Sequence, residues 1–344
     1  GWLSFNTNTG ALTGTPAEAH VGTHNVVITA TDQNSGSVTD TFTITVANTN
    51  DDPTGSVSIT GTAQEDQVLG IAQSLADDDG LGTFSYQWSR GGSAMSGETG
   101  LTYTLGQSDV GSTITVTISY TDGHGTAESV TSSATSSVQN VNDAATVAIS
   151  GTATEDQTLT ATVTDEDGAT GTITYEWRRA GTAISGATSS TYQLTQSDVG
   201  SAITVYVSFT DDYSNGETAT SSATSAVTNV NDNPTGSVSI SGTATEDQTL
   251  TASNTLADED GLGTISYQWK RAGTAISGAT SSTYTLVQAD VGSAITVTAS
   301  YTDAQGTAES STSSATSAVT NVNDNPTGSV SISGTATEDQ TLTA

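Results

Sequence analysis

The sequence contains no cysteine and only five basic residues among its 344. Without cysteine it can form neither a disulfide nor a thiolate metal site. The five cations stand against 37 acidic residues and leave a net charge of −32, which excludes nucleic acid and anionic membrane surfaces as partners. No run of 18 apolar residues is present, so the sequence predicts no membrane-spanning helix.

Signals of catalysis are also lacking. The three histidines do not recur at a fixed spacing, and no serine lies in a nucleophile elbow with a base. The glycines of Gly261-Leu-Gly263 do not stand between a strand and a helix, so they are turn residues rather than a phosphate loop. The sequence therefore argues against an enzyme.

What the chain does contain is a long repeat. Residues 227–252 recur letter for letter at 319–344, and degraded copies occur earlier. The first asparagine of each copy lies at position 48, 140, 229 and 321, so the spacings are 92, 89 and 92 residues. A period of this length corresponds to a whole domain, here called a module, rather than to a solenoid unit.

The period predicts a tandem array joined by linkers of the form Asn-x-Asn-Asp. Because the first linker follows a different segment and the last copy is short, we expect an incomplete piece at each end. The predicted divisions are 1–52 (the C-terminal part of another domain), 53–143, 144–232 and 233–324 (three modules), and 325–344 (the N-terminal part of a fourth).

Hydrophobic alternation indicates strands throughout and no helix. In the third module, strand F alternates apolar and hydroxyl residues over 295–301, and strand C alternates large apolar and polar residues over 265–269. Further strands A, B, E and G are predicted at 238–240, at Leu250, at 284–286 and at 318–319. About seven short strands per module are typical of a β-sandwich, so the predicted fold is all-β.

One tryptophan recurs in strand C of each module, at Trp88, Trp177 and Trp269. Its neighbours alternate between apolar and polar, and it occurs once per module. This pattern favours packing in the core over a sugar-stacking platform on the surface.

Acidic residues do not fall on the outward strand positions, which carry Ser and Thr. The nine acids of the third module are all predicted to lie in loops or linkers: Glu246, Asp247, Asp258, Glu259, Asp260, Asp290, Asp303, Glu309 and Asp324. Clustered carboxylates with Asn and without nearby Lys or Arg suit calcium, which takes six to eight oxygen ligands. The alternative is a set of solvated acidic loops, as on the surface of a marine or halophilic protein.

The topology of a sandwich assigns these residues to one or the other end of each module. The loops between strands B and C and between F and G lie at the end where strand A begins, and the A–B and E–F turns lie at the other end. Two half-sites and a linker are therefore expected to converge. The candidate calcium ligands are Glu65, Asp66, Asp109, Asn142, Asp143, Asp165, Asp167, Asp211, Glu155, Asp156, Asp198, Asn231, Asp232, Asn233, Asp258, Asp260, Asp303, Glu246, Asp247, Asp290, Asn323 and Asp324.

Two kinds of motif carry a resemblance to known families. Tyr267-Gln-Trp269, Tyr284-Thr-Leu286 and Asp290-x-Gly292 resemble an immunoglobulin (Ig)-like domain, although the cysteine pair of that family is absent. The linker Asn229-Val-Asn231-Asp232-Asn233-Pro234 resembles a cadherin linker. Residues 1–53, with Trp2-Leu-x-Phe5 and Ala30-Thr31-Asp32, resemble the second half of a dystroglycan-type cadherin-like domain.

Arrays of such domains are similar to the repeats of giant secreted bacterial adhesins of the RTX type. The resemblance implies Ig-like or cadherin-like sandwiches joined end to end, calcium at the joints, and neighbouring modules or like chains in a fibre as partners. It implies an extracellular, cell-surface location and a role as an extender in cell adhesion or biofilm attachment. The alternative is an array of modules that bind carbohydrate, ice or another surface.

Overall fold

The computed structural model describes residues 1–344, which form strands, turns and four single-turn 3-10 helices. None of its helices has the length and apolar character needed to cross a membrane. The chain divides into two compact units. The first comprises Gly1–Ala145, Thr164–Ile173 and Ser208–Thr218, and the second comprises Thr146–Val163, Thr174–Val207 and Ala219–Ala344.

The N-terminal piece of the first unit consists of two antiparallel pairs, β1 with β2 and β3 with β4. The second pair is a hairpin whose turn is closed by Asp32, because its Oδ1 accepts the backbone N–H groups of Asn34 and Gly36, both at 2.8 Å. The strands are β1 (Leu3–Phe5), β2 (Leu12–Gly14), β3 (Gly22–Thr31) and β4 (Ser37–Val46).

The first module follows with seven strands in two sheets. They are β5 (Val57–Thr60), β6 (Val68–Gln73), β7 (Ser85–Arg90), β8 (Ser93–Ala94), β9 (Thr102–Thr104), β10 (Ile114–Thr121) and β11 (Ala127–Thr131). One sheet has the order β5-β6-β9, and the other has the order β11-β10-β7-β8. Their inner faces enclose one apolar core, to which both sheets contribute.

The second module repeats the two sheets with the orders β12-β13-β16 and β15-β14-β17-β18. Its strands are β12 (Thr146–Ser150), β13 (Thr158–Thr164), β14 (Thr174–Arg179), β15 (Thr182–Ala183), β16 (Thr191–Gln193), β17 (Ile203–Thr210) and β18 (Gly216–Thr220). The B–C loop, between β13 and β14, and the F–G loop, between β17 and β18, belong to the first unit.

The third module has the sheet orders β19-β20-β23 and β22-β21-β24-β25. Its strands are β19 (Val238–Ser241), β20 (Thr249–Asn254), β21 (Ser266–Arg271), β22 (Thr274–Ala275), β23 (Thr283–Thr285), β24 (Ile295–Thr302) and β25 (Ala308–Thr312). Beyond it, a single antiparallel bridge joins Ser333 and Thr343.

The predicted all-β fold of tandem sandwiches is confirmed, and so is the inward face of strand F. Ile295, Val297, Ala299 and Tyr301 are all buried in β24. The placement of the module boundaries stays a prediction.

The predicted position of strand G is wrong in part. The main pairing to β24 is made earlier, by β25, in which Glu309 stands opposite Tyr301. Glu309 therefore lies in a strand rather than in a loop. The segment is polar, and its strand forms through the backbone ladder with β24 rather than through an apolar alternation that the sequence could show.

The recurring tryptophan is the centre of each core, as predicted. Trp88, Trp177 and Trp269 have no exposed surface. The indole N–H of Trp269 donates to the carbonyl oxygen of Ser281 at 2.8 Å, and the ring centroid lies 5.7 Å from that of Tyr284. Burial of an aromatic ring with its polar atom satisfied gives each core its largest single apolar contribution.

These contacts predict weak quenching of the tryptophan fluorescence. In a Trp2→Phe variant, which removes the half-buried fourth tryptophan, acrylamide should quench the remaining emission several-fold less than it quenches free indole. Addition of guanidinium to unfold the chain provides the control, because it should restore quenching to the free-indole value. Strong quenching in native buffer would contradict the core assignment.

Candidate metal centres

Two clusters of three carboxylates have the same composition. Glu65, Asp143 and Asp167 lie together in the first unit, and Glu155, Asp232 and Asp260 lie together in the second; within each cluster the ligand oxygens are all within 4.8 Å of one another. Each cluster takes one residue from an A–B turn, one from a linker and one from the B–C loop that follows. The fold thus brings together residues that lie up to about a hundred positions apart in the sequence.

The glutamate of each cluster is held in place by hydrogen bonds that both its backbone and its carboxylate make with the segment that leads into the linker. The backbone N–H of Glu65 donates to the carbonyl of Gln139 at 2.9 Å, and a parallel bridge pairs Gln64 with Gln139. Its carboxylate in turn accepts the N–H of Val141 at 3.2 Å. Glu155 repeats these contacts, with Thr228 and Val230, at 2.9 and 3.2 Å.

The linker aspartate is tied to the B–C loop through its backbone. The N–H of Asp143 donates to Oδ2 of Asp167, and the N–H of Asp232 donates to Oδ2 of Asp260, both at 2.8 Å. These bonds bring carboxylates of adjacent segments side by side. Asp167 and Asp260 are each 1% exposed, so their charges are poorly solvated.

The linker asparagines act through their amide N–H groups. Asn142 donates to Glu217, and Asn231 donates to Glu309, both at 2.9 Å. Glu217 was not among the predicted site residues. The repeated spacing of six residues between the F–G loop aspartate and this glutamate, seen in Asp211 to Glu217 and Asp303 to Glu309, was the signal that could have found it.

Both clusters carry charge repulsion that no cation of the chain relieves. Burial, and then the negative charges of Asp143 and Asp167, raise the pKa of Glu65 against the opposing hydrogen bond from Val141. Burial raises the pKa of Glu155 as well, with Asp232 and Asp260 adding to the effect. Neither cluster includes a lysine or an arginine, and all four arginines pair with acids outside these clusters.

Several further oxygens at these ends of the modules are buried and lack a hydrogen-bond donor: Gln107 Oε1, Asn140 Oδ1, Asp165 Oδ2, Gln196 Oε1, Asn229 Oδ1 and Asp303 Oδ2. The amide groups of Gln107 and Gln196 donate to Asp167 and Asp260, both at 3.1 Å. Buried oxygens without donors are rare in native proteins. A donor set made only of carboxylate and amide oxygens fits calcium.

Three of the predicted ligands are not members of these clusters and make other contacts. Asp109, Asp198 and Asp290 are buried within their own modules and accept hydrogen bonds from an arginine, a tyrosine hydroxyl and a backbone N–H. The arginine Nε atoms of Arg90, Arg179 and Arg271 lie 2.6, 2.7 and 2.6 Å from the respective Oδ1 atoms, and the tyrosines are Tyr103, Tyr192 and Tyr284.

This arrangement stabilises the E–F turn. Oδ2 of Asp290 accepts the N–H of Val287 at 2.8 Å and so closes the single-turn helix Gln288–Asp290. Burial by itself would raise the pKa of the equivalent Asp198, but the hydrogen bonds from Thr195, Arg179 and Tyr192 outweigh it and lower the pKa. These aspartates are therefore structural anions.

The remaining predicted residues lie around the clusters. Asp66, Asp156 and Asp247 are exposed turn residues with positive φ. Asp211 and Asp303 hold the F–G loops, since Oδ1 of each accepts two loop N–H groups.

The residues of the last linker make up only part of a cluster. Glu246 is buried and accepts the N–H of Val322 at 3.1 Å, whereas Asn323 and Asp324 are exposed, as is Asn233 of the preceding linker. The structure brings no third carboxylate to Glu246.

One difference between the modules changes the donor set. Tyr120 donates its hydroxyl to Asp77 Oδ2 at 2.6 Å in the first module, and Tyr301 donates to Asp258 Oδ2 at 2.5 Å in the third. The second module has Phe209 at this position, so Oδ2 of Asp165 has no donor. Burial and the negative charges of Glu217 and Asp167 then raise the pKa of Asp165.

A third cluster was missed by the sequence analysis. Glu18, Asp79 and His124 lie together in the first unit. Asp79 corresponds to Asp167 and Asp260 in the repeat and could have been found from that register. Glu18 and His124 have no counterpart at the other linkers, so no repeated pattern marks them.

Residues 1–47 match a family model described as "Putative Ig domain". The match covers only the N-terminal piece of the chain, where the sequence itself resembles a cadherin-like domain. No curated protein matches the sequence.

Several solved structures are similar to the chain. A Ca2+-stabilized adhesin that helps an Antarctic bacterium bind ice is 18% identical, with 87% of this chain and 82% of that chain covered and a TM-score of 0.26. A tetra-tandem repeat in the extending region of a large adhesion protein is also 18% identical, with 89% and 84% covered and a TM-score of 0.26. The D1–D4 ectodomain fragment of ICAM-5 is 11% identical, with 86% and 83% covered and a TM-score of 0.29. One architecture serves many functions, so these similarities indicate a fold and not a function.

The buried ion pairs predict that Arg271→Met destabilises the third module by about 2 kcal/mol, because Asp290 keeps its buried charge and loses its partner. Lys270→Met is the matched control, since it removes one positive charge from the neighbouring position. Calorimetric unfolding should show one transition shifted down in the first variant and little change in the second. Equal shifts in both would show that net charge, rather than the pair, is responsible.

Because Phe209 replaces the tyrosine of the other two modules, we predict that Phe209→Tyr stabilises the second module. In the absence of bound metal the gain should be about 1 kcal/mol, since the new hydroxyl donates to Asp165. Tyr301→Phe is the reverse change and should cost the third module a similar amount. Calorimetry of both variants in excess EDTA makes the comparison. A loss of stability in Phe209→Tyr would mean that the hydroxyl does not reach the carboxylate.

Proposed function

We propose that this chain is part of the extender region of a large bacterial cell-surface adhesin, in which calcium at the linkers stiffens a rod of Ig-like modules. The observation that carries the proposal is the recurrence of one cluster, a turn glutamate with a linker aspartate and a B–C loop aspartate, at two successive linkers. Recurrence at the linkers favours a role in joining modules over a role in binding one ligand.

Calcium is the ion that these residues suit best. The ligands at the first cluster would be Glu65, Asp143 and Asp167, with Asp165 and the amide oxygen of Asn140 completing the shell. Those at the second would be Glu155, Asp232 and Asp260, with Asn229 and Asp303. When bound, the ion supplies two positive charges that cancel the repulsion between buried carboxylates.

The contents of the modules favour an extender over the alternative of carbohydrate or surface binding. The three recurring tryptophans, which could have stacked on sugar rings, are wholly buried and their indole N–H groups donate to backbone carbonyls. Near-identical repeats add length rather than a new site with each copy. Extracellular display, cell adhesion and biofilm attachment belong to this same proposal, on the strength of the motif resemblance.

The proposal predicts that calcium raises the melting temperature of the full chain and increases its maximum dimension. An ion that binds only the folded state stabilises it by about 2.7 kcal/mol when present at about one hundred times its Kd. Asp232→Asn and Asp143→Asn should each abolish binding at one cluster. Glu259→Gln is the matched control, because it removes an exposed charge beside Asp260.

The measurements are calcium titration by calorimetry, thermal unfolding and small-angle scattering, each with and without EDTA. Identical melting curves and scattering profiles in calcium and in EDTA would defeat the proposal and leave the clusters as plain acidic surface. Binding of oligosaccharides by the full chain on a glycan array, lost on mutation of exposed residues, would favour the alternative instead.

A further inference from the structure

The third cluster differs in chemistry from the other two. Glu18 comes from the single-turn helix Glu18–His20, Asp79 from the B–C loop of the first module, and His124 from the F–G loop of that module. The three ligand atoms lie within 4.8 Å of one another, and Nε2 of His124 is 2.6 Å from Oε1 of Glu18. This cluster offers an imidazole nitrogen as well as carboxylate oxygens.

Of the three F–G loops, only that of the first module carries an imidazole nitrogen, from His124. The backbone N–H of His124 donates to Oδ1 of Asp122 at 2.9 Å. Tyr213 and Gln305 make the same contact with Asp211 and Asp303 in the other two modules. The F–G loop therefore keeps its backbone geometry in all three modules while only the first one presents a metal-binding side chain.

A second observation is that buried carboxylate oxygens in and beside the cluster lack a hydrogen-bond donor. Asp79 is 5% exposed and its Oδ1 has no hydrogen-bond donor, while Oδ2 accepts the N–H of Asp51 at 2.8 Å. Asp122, two residues before His124, is 7% exposed and its Oδ2 also lacks a donor. A carboxylate oxygen that is both buried and unpaired is costly unless a cation is bound beside it.

We propose that Glu18, Asp79 and His124 form a separate site for a divalent transition-metal ion of the zinc class. Imidazole with carboxylate oxygens is a donor set that suits zinc, whereas calcium prefers oxygen alone. Three protein ligands leave a fourth position of a tetrahedral ion for water. This site is independent of the calcium proposed for the other two linkers.

Binding of the ion replaces a hydrogen bond. Without metal, Nε2 of His124 and Oε1 of Glu18 are hydrogen-bonded at 2.6 Å. Ligands at about 2.1 Å from a tetrahedral ion stand about 3.4 Å apart, so the two atoms must separate by less than 1 Å. Both side chains are about one-third exposed, so they can make this adjustment by small rotations.

The test is calorimetric titration of the full chain with zinc in buffer that holds saturating calcium. One equivalent of zinc should bind, and His124→Gln, which introduces the residue found at this place in the third module, should weaken binding at least about a hundredfold. Glu18→Gln should weaken it as well. His24→Gln is the matched control and should leave binding unchanged, because His24 lies outside the cluster with its Nε2 at 2.6 Å from the carbonyl of His20.

Cobalt provides an independent readout. Substitution of Co2+ should give visible absorption of the intensity seen for four-coordinate sites, and that band should vanish in His124→Gln. Circular dichroism of each variant checks that the fold is kept. Absence of zinc binding, binding that persists in His124→Gln, or binding lost equally in His24→Gln would each overturn the proposal. None of these outcomes depends on whether calcium binds the other clusters.

Discussion

The same hydrogen bond holds each of the first three linkers of this protein. The backbone N–H of the linker aspartate donates to the last aspartate of the following B–C loop, at 2.8 Å in each of the three cases: Asp51 to Asp79, Asp143 to Asp167, and Asp232 to Asp260. The bond fixes the linker over the loop. It also places carboxylates of separate segments within a few ångströms of one another, and the repulsion that results is the feature any bound cation would relieve.

The arginines of the chain pair with acids outside the linker clusters, so the linker carboxylates have no arginine partner. Arg90, Arg179 and Arg271 each pair with a buried aspartate of their own module, and Arg178 pairs with Glu176. The acids thus fall into two groups. Those of the E–F turns pair with arginines inside their modules, whereas those of the linker clusters have no lysine or arginine partner.

Small differences between near-identical modules alter the sites more than the fold. Phe209 in place of tyrosine leaves Asp165 without a donor, although the strand that carries it pairs in the same sheet order as in the other modules. His124 in place of Tyr213 or Gln305 introduces a nitrogen ligand while the loop keeps its hydrogen bonds. A scaffold held by backbone bonds and a shared core tolerates such changes, because neither depends on these side chains.

The sequence by itself determined the sandwich, the buried tryptophans and those strands whose residues alternate between apolar and polar, because that alternation is a local property of a strand. It did not determine the polar strand β25. It also determined that acids gather at the linkers, because the repeat marks the same positions several times. It could not tell Asp290 from Asp260, since both are aspartates in loops. Only the tertiary structure decided between them, because it sets Arg271, nineteen residues away in the sequence, against the first and sets other carboxylates against the second.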